Sequence, residues 1–273
     1  MNELILEPGR TEKNYWMDLW RFRELFFFLA WRDILVRYKQ TAVGIAWAVL
    51  RPFLTMVIFT VIFSRVAKLP TVGTAPYAIL VMAGMLPFQF ISGCISLSSE
   101  SMVSNANLIS KIYFPRMIVP SSAVVTSFVD FLITLALMTG MMAWYRFAPD
   151  WRLSALPLFI VLSFACALGI GLWLSALMVR YRDVRHIVPF IVQFGMYVSP
   201  VGFSSNVVPE KWRLLFSLNP LVGIIDGFRW SLMRGQMELR WQVLAMSVVV
   251  TLVLFASGIW YFRKTERTFA DII

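Results

Sequence analysis

Few side chains in this 273-residue sequence have the types and spacings that an active site requires. Acid–base and nucleophilic catalysis both need groups within hydrogen-bond reach of one another. The only histidine is His186, the two cysteines, Cys94 and Cys166, lie in apolar runs, and the carboxylates are scattered. The HExxH and CxxC patterns of metal sites do not occur. We therefore expect no catalytic residues and no metal site.

The sequence also has no GxxxxGK[ST] loop, with which P-loop ATPases hold the phosphates of ATP. An ion-coupled carrier usually places several polar or charged groups near the middle of the membrane. Only Asp130 lies well inside an apolar run, and no partner base for it is visible, so we favour a structural role for this acid. We expect the chain to bind no cofactor and to take any transport energy from elsewhere.

Composition indicates a membrane protein. Hydrophobic residues make up 59% of the sequence, charged residues only 15%, and the mean hydropathy is +0.72. A water-soluble domain carries about 25% charged residues, so this chain has too little charge to cover a surface in water. Its net charge of +10 would suggest nucleic acid in a soluble protein, but here it fits the Lys and Arg excess of cytoplasmic loops. We predict a polytopic membrane protein that binds no nucleic acid.

Long stretches with little or no charge predict six membrane-spanning helices, because about 20 apolar residues cross the ~30 Å hydrocarbon core. The predicted spans are 41–64, 76–99, 117–145, 153–179, 187–203 and 241–262. Together they give an all-α transmembrane domain over residues 41–267, with tails at 1–15 and 268–273. Arg51, near one end of the first span, could extend to the interface.

Loop charges predict that both termini are cytoplasmic. The first fifteen residues contain three glutamates and no apolar core, so we expect no signal peptide. With an even number of spans, sixteen Lys and Arg fall in cytoplasmic segments and nine in outer segments. This bias agrees with the positive-inside rule.

Two segments do not read as simple spans. In residues 16–40, the seven uncharged residues Leu25 to Trp31 reach only about 11 Å as a helix. Their aromatic content and basic flanks predict a helix at the cytoplasmic interface, although its charges are not confined to one face. A juxtamembrane helix that merely anchors the chain is the alternative. The residues assigned to this interface helix are Phe26, Phe27, Trp31, Arg32 and Arg37.

The second irregular segment covers residues 187–240. Prolines recur at positions 189, 200, 209 and 220, and each disfavours a continuous helix. Irregular backbone at membrane depth must be buried in protein or line a cavity. We predict short re-entrant helices within 204–230 on the outer side; the alternative is a folded outer loop with an apolar core.

Four blocks of the sequence, at 36–64, 104–120, 182–200 and 217–230, resemble one family. They read VRYKQTAVGIAWAVLRPFLTMVIFTVIFS, SNANLISKIYFPRMIVP, RDVRHIVPFIVQFGMYVSP and SLNPLVGIIDGFRW. In this order they are similar to the membrane subunit of type-2 ABC exporters for bacterial cell-surface polysaccharides, a family that includes O-antigen, capsule and teichoic-acid permeases. The likeness covers about residues 16–267.

The resemblance implies six spans, an interface helix, and short helices after the fifth span. It also implies a homodimer in the bacterial inner membrane with two copies of a separate ATPase subunit, which would hold ATP and Mg. The substrate would be a glycan or polyol phosphate on a lipid anchor, with O-antigen ranked first.

An ATPase subunit must pass its motion to the membrane subunit through short cytoplasmic contacts, and the loop 104–115 is the best candidate. Asn105 is a favourable N-cap, and Pro115 ends the helical stretch. Apolar side chains in this loop have no lipid to face, which predicts a groove of the partner protein; a plain connecting loop is the alternative. The candidate coupling residues are Asn105, Asn107, Leu108, Ile109, Lys111, Ile112, Tyr113 and Arg116.

A channel for a hydrated polymer could use aromatic rings, on which the C–H faces of sugars pack without tight hydrogen bonds. The candidate channel residues are Phe88, Phe90, Tyr197 and Phe203, which lie near prolines in the second and fifth spans. Three alternatives remain for the chain as a whole: a type-2 ABC permease for a drug or lipid, a membrane enzyme acting on lipid-linked glycans, and a scaffold. The proline-punctuated fifth span fits the scaffold poorly.

Overall fold

The computed structural model describes residues 15–39, 45–70 and 73–269, and the regular structure in these ranges is helical, as predicted. The helices are α1 (Tyr15–Arg21), α2 (Arg23–Lys39), α3 (Ile45–Thr60), α4 (Tyr77–Ser104), α5 (Ala106–Ile109), α6 (Ile118–Trp144), α7 (Leu156–Arg180), α8 (Val184–Val198), α9 (Glu210–Ser217), α10 (Pro220–Leu232) and α11 (Trp241–Thr265). A π-helical stretch, Val61–Val66, extends α3. The predicted tails at 1–14 and 270–273 and the start of the first span at 40–44 lie outside the described residues.

Five helical stretches are long and apolar enough to cross a membrane: Ala46–Val66, Tyr77–Ser104, Ile118–Trp144, Trp151–Arg180 and Trp241–Thr268. The remaining predicted span, 187–203, overlaps α8, whose 15 residues reach only about 22 Å. The segment from Arg185 to Gly202, which includes most of α8, nevertheless runs from one end of the bundle to the other. Arg185 pairs with Glu100 at the C-terminal end of α4, and the Tyr77 hydroxyl at its N-terminal end donates to the Gly202 carbonyl at 2.7 Å.

The two described ends of the chain lie at the same end of the bundle, because the Tyr15 hydroxyl donates to the Glu266 carboxylate at 3.0 Å. We call this the proximal end, and it also carries Asn105. The distal end carries Tyr77 and Gly202. This arrangement requires an even number of crossings and agrees with the six that were predicted.

Helix α4 is the central element of the bundle, and it packs against α6, α7 and α10. It supplies more buried side chains to the main core than any other helix. Most of its length is buried, and no charged residue interrupts it before Glu100. Small residues allow α7 and α11 to approach closely: a Cβ on Gly258 would lie 2.4 Å from the Gly169 carbonyl oxygen. Such contacts are typical of helices that associate in membranes, where dispersion and close packing drive association.

Helices α9 and α10 lie in the segment that was predicted to contain short re-entrant helices. Asn219 caps α10 by accepting a hydrogen bond from the Leu221 amide, and Pro220 occupies the first helical turn. The Gly223 amide donates to the Ser247 hydroxyl, about 9 Å along α11 from its start at the distal end. The N-terminal end of α10 therefore lies inside the bundle, and its backbone packs against α11.

Candidate functional site

The loop between α4 and α6 presents two apolar side chains at the proximal end. Only Ala106–Ile109 forms a helix, which is shorter than predicted. Ile109 is buried in a cluster with Leu29 of α2, so it is not available to a partner. Ile112 is 53% exposed and Tyr113 47% exposed. Partial burial raises the pKa of the Tyr113 hydroxyl, so the phenol stays neutral.

Hydrogen bonds attach this loop to α2. Asn105 precedes α5, but its side chain makes no capping hydrogen bond there. Instead its amide nitrogen donates to the Ser101 carbonyl at 2.8 Å, and its carbonyl accepts from Arg32 at 2.9 Å. Asn105 is therefore the N-cap residue of α5, as predicted, but its side chain fastens the loop to α2 and does not cap the helix. Among the other candidates, Asn107 and Lys111 are exposed and Leu108 is half-buried.

Arg116, at the end of the loop, donates to the backbone carbonyl of Glu266. The interface-helix candidates lie on α2, where Phe27 and Trp31 are exposed and Phe26 is half-buried. The 16–40 segment is two helices, α1 and α2, and α2 packs along α6. The loop is thus supported by α2 on one side and by the end of α11 on the other.

Asp130, the acid inside the third span, has partners on α2. Arg37 forms an ion pair with it at 2.7 Å, and the Tyr38 hydroxyl donates to the same carboxylate. Asp130 lies about 18 Å along α6 from its start at the proximal end. The C-terminal end of α2 therefore extends about that far from the proximal end along α6. The structural role that we predicted for Asp130 agrees with this geometry, which supplies the partner that the sequence did not reveal.

The four aromatic channel candidates have different surroundings. Phe90 is 2% exposed and sits in a ring cluster with Phe128, Phe131 and Phe164. Phe88 is also buried, beneath α8. Both therefore belong to the core of the subunit and offer no surface to a substrate. Phe203 is half-buried, with its ring 6.5 Å from that of Phe63, and Tyr197 is 67% exposed.

Tyr197 belongs to an aromatic stripe on α8 that sequence reasoning missed. Phe190 and Phe194 are exposed on the same helix, with stacked rings whose centroids are 6.0 Å apart. Positions 190, 194 and 197 share one helical face because they are four and three residues apart. That spacing was the available signal. The stripe is open in the single chain, so a second copy or a substrate could contact it.

Arg229, in α10, is fully buried near the distal end. Its guanidinium donates to three backbone carbonyls, those of Leu80 at 3.2 Å, Val201 at 2.8 Å and Phe203 at 2.8 Å. Gly84 makes room for it, since a Cβ there would lie 2.6 Å from Nη2. Through these hydrogen bonds Arg229 connects α10 to the segment after α8 and to α4.

Comparisons with known proteins identify the family. A model described as "ABC-2 type transporter" matches residues 24–233, and the chain belongs to this family of membrane transporters.

Within the described residues, no group of three His, Cys, Asp or Glu side chains is placed to hold a metal ion.

Curated relatives are similar over almost the whole chain. One from Klebsiella pneumoniae, named O-antigen export system permease protein RfbA, is 27% identical over 244 residues, which is 89% of this chain and 92% of the relative. A protein of the same name from Myxococcus xanthus is 26% identical over 259 residues, which is 94% of this chain and 98% of that relative.

Proposed function

We propose that this chain forms the translocation channel of an ATP-driven exporter that moves lipid-linked polysaccharide, with O-antigen as the first choice, across the bacterial inner membrane. Two relatives named as O-antigen export permeases match almost their full length, and this observation carries the proposal. Transport by a membrane subunit also fits a sequence that contains neither a phosphate loop nor a catalytic constellation.

The ATPase would be a separate subunit, present in two copies beneath a homodimer of this chain, with ATP and Mg bound to those copies. We place its contact at the proximal end, where Ile112 and Tyr113 are exposed apolar side chains on a supported loop. A displacement of the loop would reach α2 through the Arg32–Asn105 hydrogen bond. It would then reach the third span through the Arg37–Asp130 ion pair.

The polymer path in this proposal lies between two copies of the chain. The exposed stripe formed by Phe190, Phe194 and Tyr197 would face the path from each copy. Aromatic rings offer a large apolar surface to sugar C–H faces. Such contacts do not depend on a particular hydrogen-bond pattern, which allows a repeating chain to slide.

A second candidate is a type-2 ABC permease for another substrate, such as capsule, teichoic acid, a lipid or a drug. Family membership alone would fit either substrate class. The experiment that separates them is co-expression with the ATPase encoded beside this gene, followed by an assay of ATP hydrolysis. We expect stimulation by lipid-linked polysaccharide and none by a free lipid carrier, and the chain alone should bind no nucleotide. Equal stimulation by the free carrier would contradict the polysaccharide assignment.

The orientation of the bundle can be tested by cysteine labelling in intact cells. Thr74 is exposed at the distal end and Ser110 at the proximal end, while the native Cys94 and Cys166 are buried and form a silent background. If the proximal end is cytoplasmic, an impermeant maleimide should label Thr74→Cys but not Ser110→Cys, and permeabilised cells should label both. Labelling of Ser110→Cys in intact cells would reverse the proposed orientation.

A further inference from the structure

An open cleft of about 940 Å³ lies at the proximal end of the bundle, and we call it the basic cleft. Three stretches that are distant in sequence form its walls: 15–18 of α1, 113–116 of the α4–α6 loop, and 256–267 at the end of α11. The cleft therefore touches the interface helices, the proposed coupling loop and the last span. Any ligand bound there would connect all three.

Cations outnumber carboxylates in the basic cleft. The lining cations are Arg116, Arg263, Lys264 and Arg267, and the lining carboxylates are Asp18 and Glu266. The Glu266 carboxylate already accepts the Tyr15 hydroxyl, and the Arg263 guanidinium stands 4.6 Å from the centroid of the Tyr15 ring. A guanidinium on an aromatic face keeps N–H groups at its edge, where they can bind an anion. The cleft is therefore suited to a negatively charged group.

One face of α11 leads from the membrane into this cleft. Val249, Val253 and Trp260 are exposed at spacings of four and seven residues, so they share one helical face. The same face continues to Lys264, whose ammonium lies 5.1 Å from the centroid of the Trp260 ring. Tryptophan followed by cations is the pattern of a helix that passes through the headgroup layer. The basic cleft thus opens beside lipid, at the depth of the phosphates.

We propose that the basic cleft is a binding site for an acidic phospholipid such as cardiolipin or phosphatidylglycerol. The phosphate would lie among the cations of α11 and Arg116, and the acyl chains would lie along Ala256, Ile259 and Trp260. Basic pockets between membrane helices bind such headgroups. A soluble protein segment fits less well, because the apolar wall of the cleft continues into the lipid-facing side of α11.

The proposal depends on the chain spanning a membrane and not on which substrate it moves. Its consequence for the chain concerns the coupling loop: a phosphate bound to Arg116 would fix the base of the loop that carries Ile112 and Tyr113. Acidic lipid would then be needed for full communication with a partner at that loop.

The test measures cardiolipin bound to the purified full-length chain, by native mass spectrometry during a titration. The variant Lys264→Gln with Arg267→Gln removes two exposed cations, each worth about fivefold in affinity for an anionic lipid. We expect about 25-fold weaker binding when both cations are removed. The charge-preserving pair Lys264→Arg with Arg267→Lys, and the distal control Arg65→Gln with Lys211→Gln, should bind as the parent does.

Two results would overturn the proposal. The first is unchanged cardiolipin affinity in the Lys264→Gln, Arg267→Gln variant. The second is displacement of cardiolipin by inorganic phosphate at equal concentration, which would indicate a plain anion site. If unchanged lipid binding by this variant is accompanied by loss of ATPase co-purification, the basic cleft is assigned to the ATPase. None of these results depends on the transported substrate, so they test lipid binding independently of the proposed function.

Discussion

Replacement of Arg229 by methionine is expected to destabilise the distal half of the bundle by about 5 kcal/mol and to abolish export. The buried guanidinium donates to three carbonyls, and two of them, on Val201 and Phe203, lie in the irregular segment after α8. Hydrogen bonds to charged groups contribute about 1.5–3 kcal/mol each. Methionine fills much of the volume but leaves these buried carbonyls without a donor. The measurement is thermal unfolding of the purified protein, with limited proteolysis of the 199–204 segment.

Three further variants test the hydrogen-bond geometry, the packing around the guanidinium and the loss of a distal charge alone. Arg229→Lys keeps the charge but cannot reproduce the fork of donors, so it should be intermediate. Gly84→Ala should also destabilise, because its Cβ would lie 2.7 Å from the Val201 carbonyl oxygen. Lys211→Met removes an exposed distal cation and should leave unfolding unchanged. An unfolding midpoint for Arg229→Met equal to that of the parent would show that these contacts do not hold the segment in place.

The double substitution Ile112→Ala with Tyr113→Ala is expected to weaken association with the ATPase several hundredfold. The two side chains together carry about 300 Å² of surface, and roughly half of it is exposed in the single chain. Burial of about 150 Å² at about 25 cal/mol per Å² corresponds to about 4 kcal/mol. Insertion into the membrane should be normal, because both residues lie outside the spans. The measurement is co-purification of the ATPase, together with export in cells.

A matched control is available at the distal end. Trp144→Ala with Tyr145→Ala removes two exposed aromatic side chains at the other end of the bundle, so it should not affect co-purification. If the Ile112→Ala, Tyr113→Ala variant co-purifies with the ATPase and exports at the parental level, the loop is only a connector. The ATPase contact would then lie elsewhere on the proximal end.

The helices could be predicted because a segment that crosses the hydrocarbon core must be long and apolar. A run without charge must be buried in lipid or protein, and the runs around Asp130 and at 153–179 contain spans that the structure describes. Prolines at positions 209 and 220 likewise indicated the interruptions that precede α9 and α10. These signals are local, so a single sequence is enough to interpret them.

Contacts between distant residues could not be predicted in this way. Arg37 and Asp130 are far apart in sequence, and nothing near either residue points to the other. Arg229 was one of the nine Lys and Arg residues that the sequence assigned to outer segments, although the structure buries it completely. Phe88 and Phe90 follow a proline in α4, but the pairing of α4 with α6, α7 and α8 encloses both rings. Only the tertiary arrangement decides which face of a central helix remains open.

ATP-driven transfer of lipid-linked polysaccharide across a reconstituted membrane tests the proposed function most directly. Vesicles would contain the chain and its ATPase, with the ATPase facing the medium, and the polysaccharide would be supplied in the outer leaflet. A glycan-binding protein enclosed in the lumen would report arrival. The proposed function predicts that polysaccharide appears in the lumen only with ATP, and not when the phosphate-loop lysine of the ATPase is replaced. Hydrolysis of ATP without transfer of polysaccharide, but with transfer of another lipid, would contradict it.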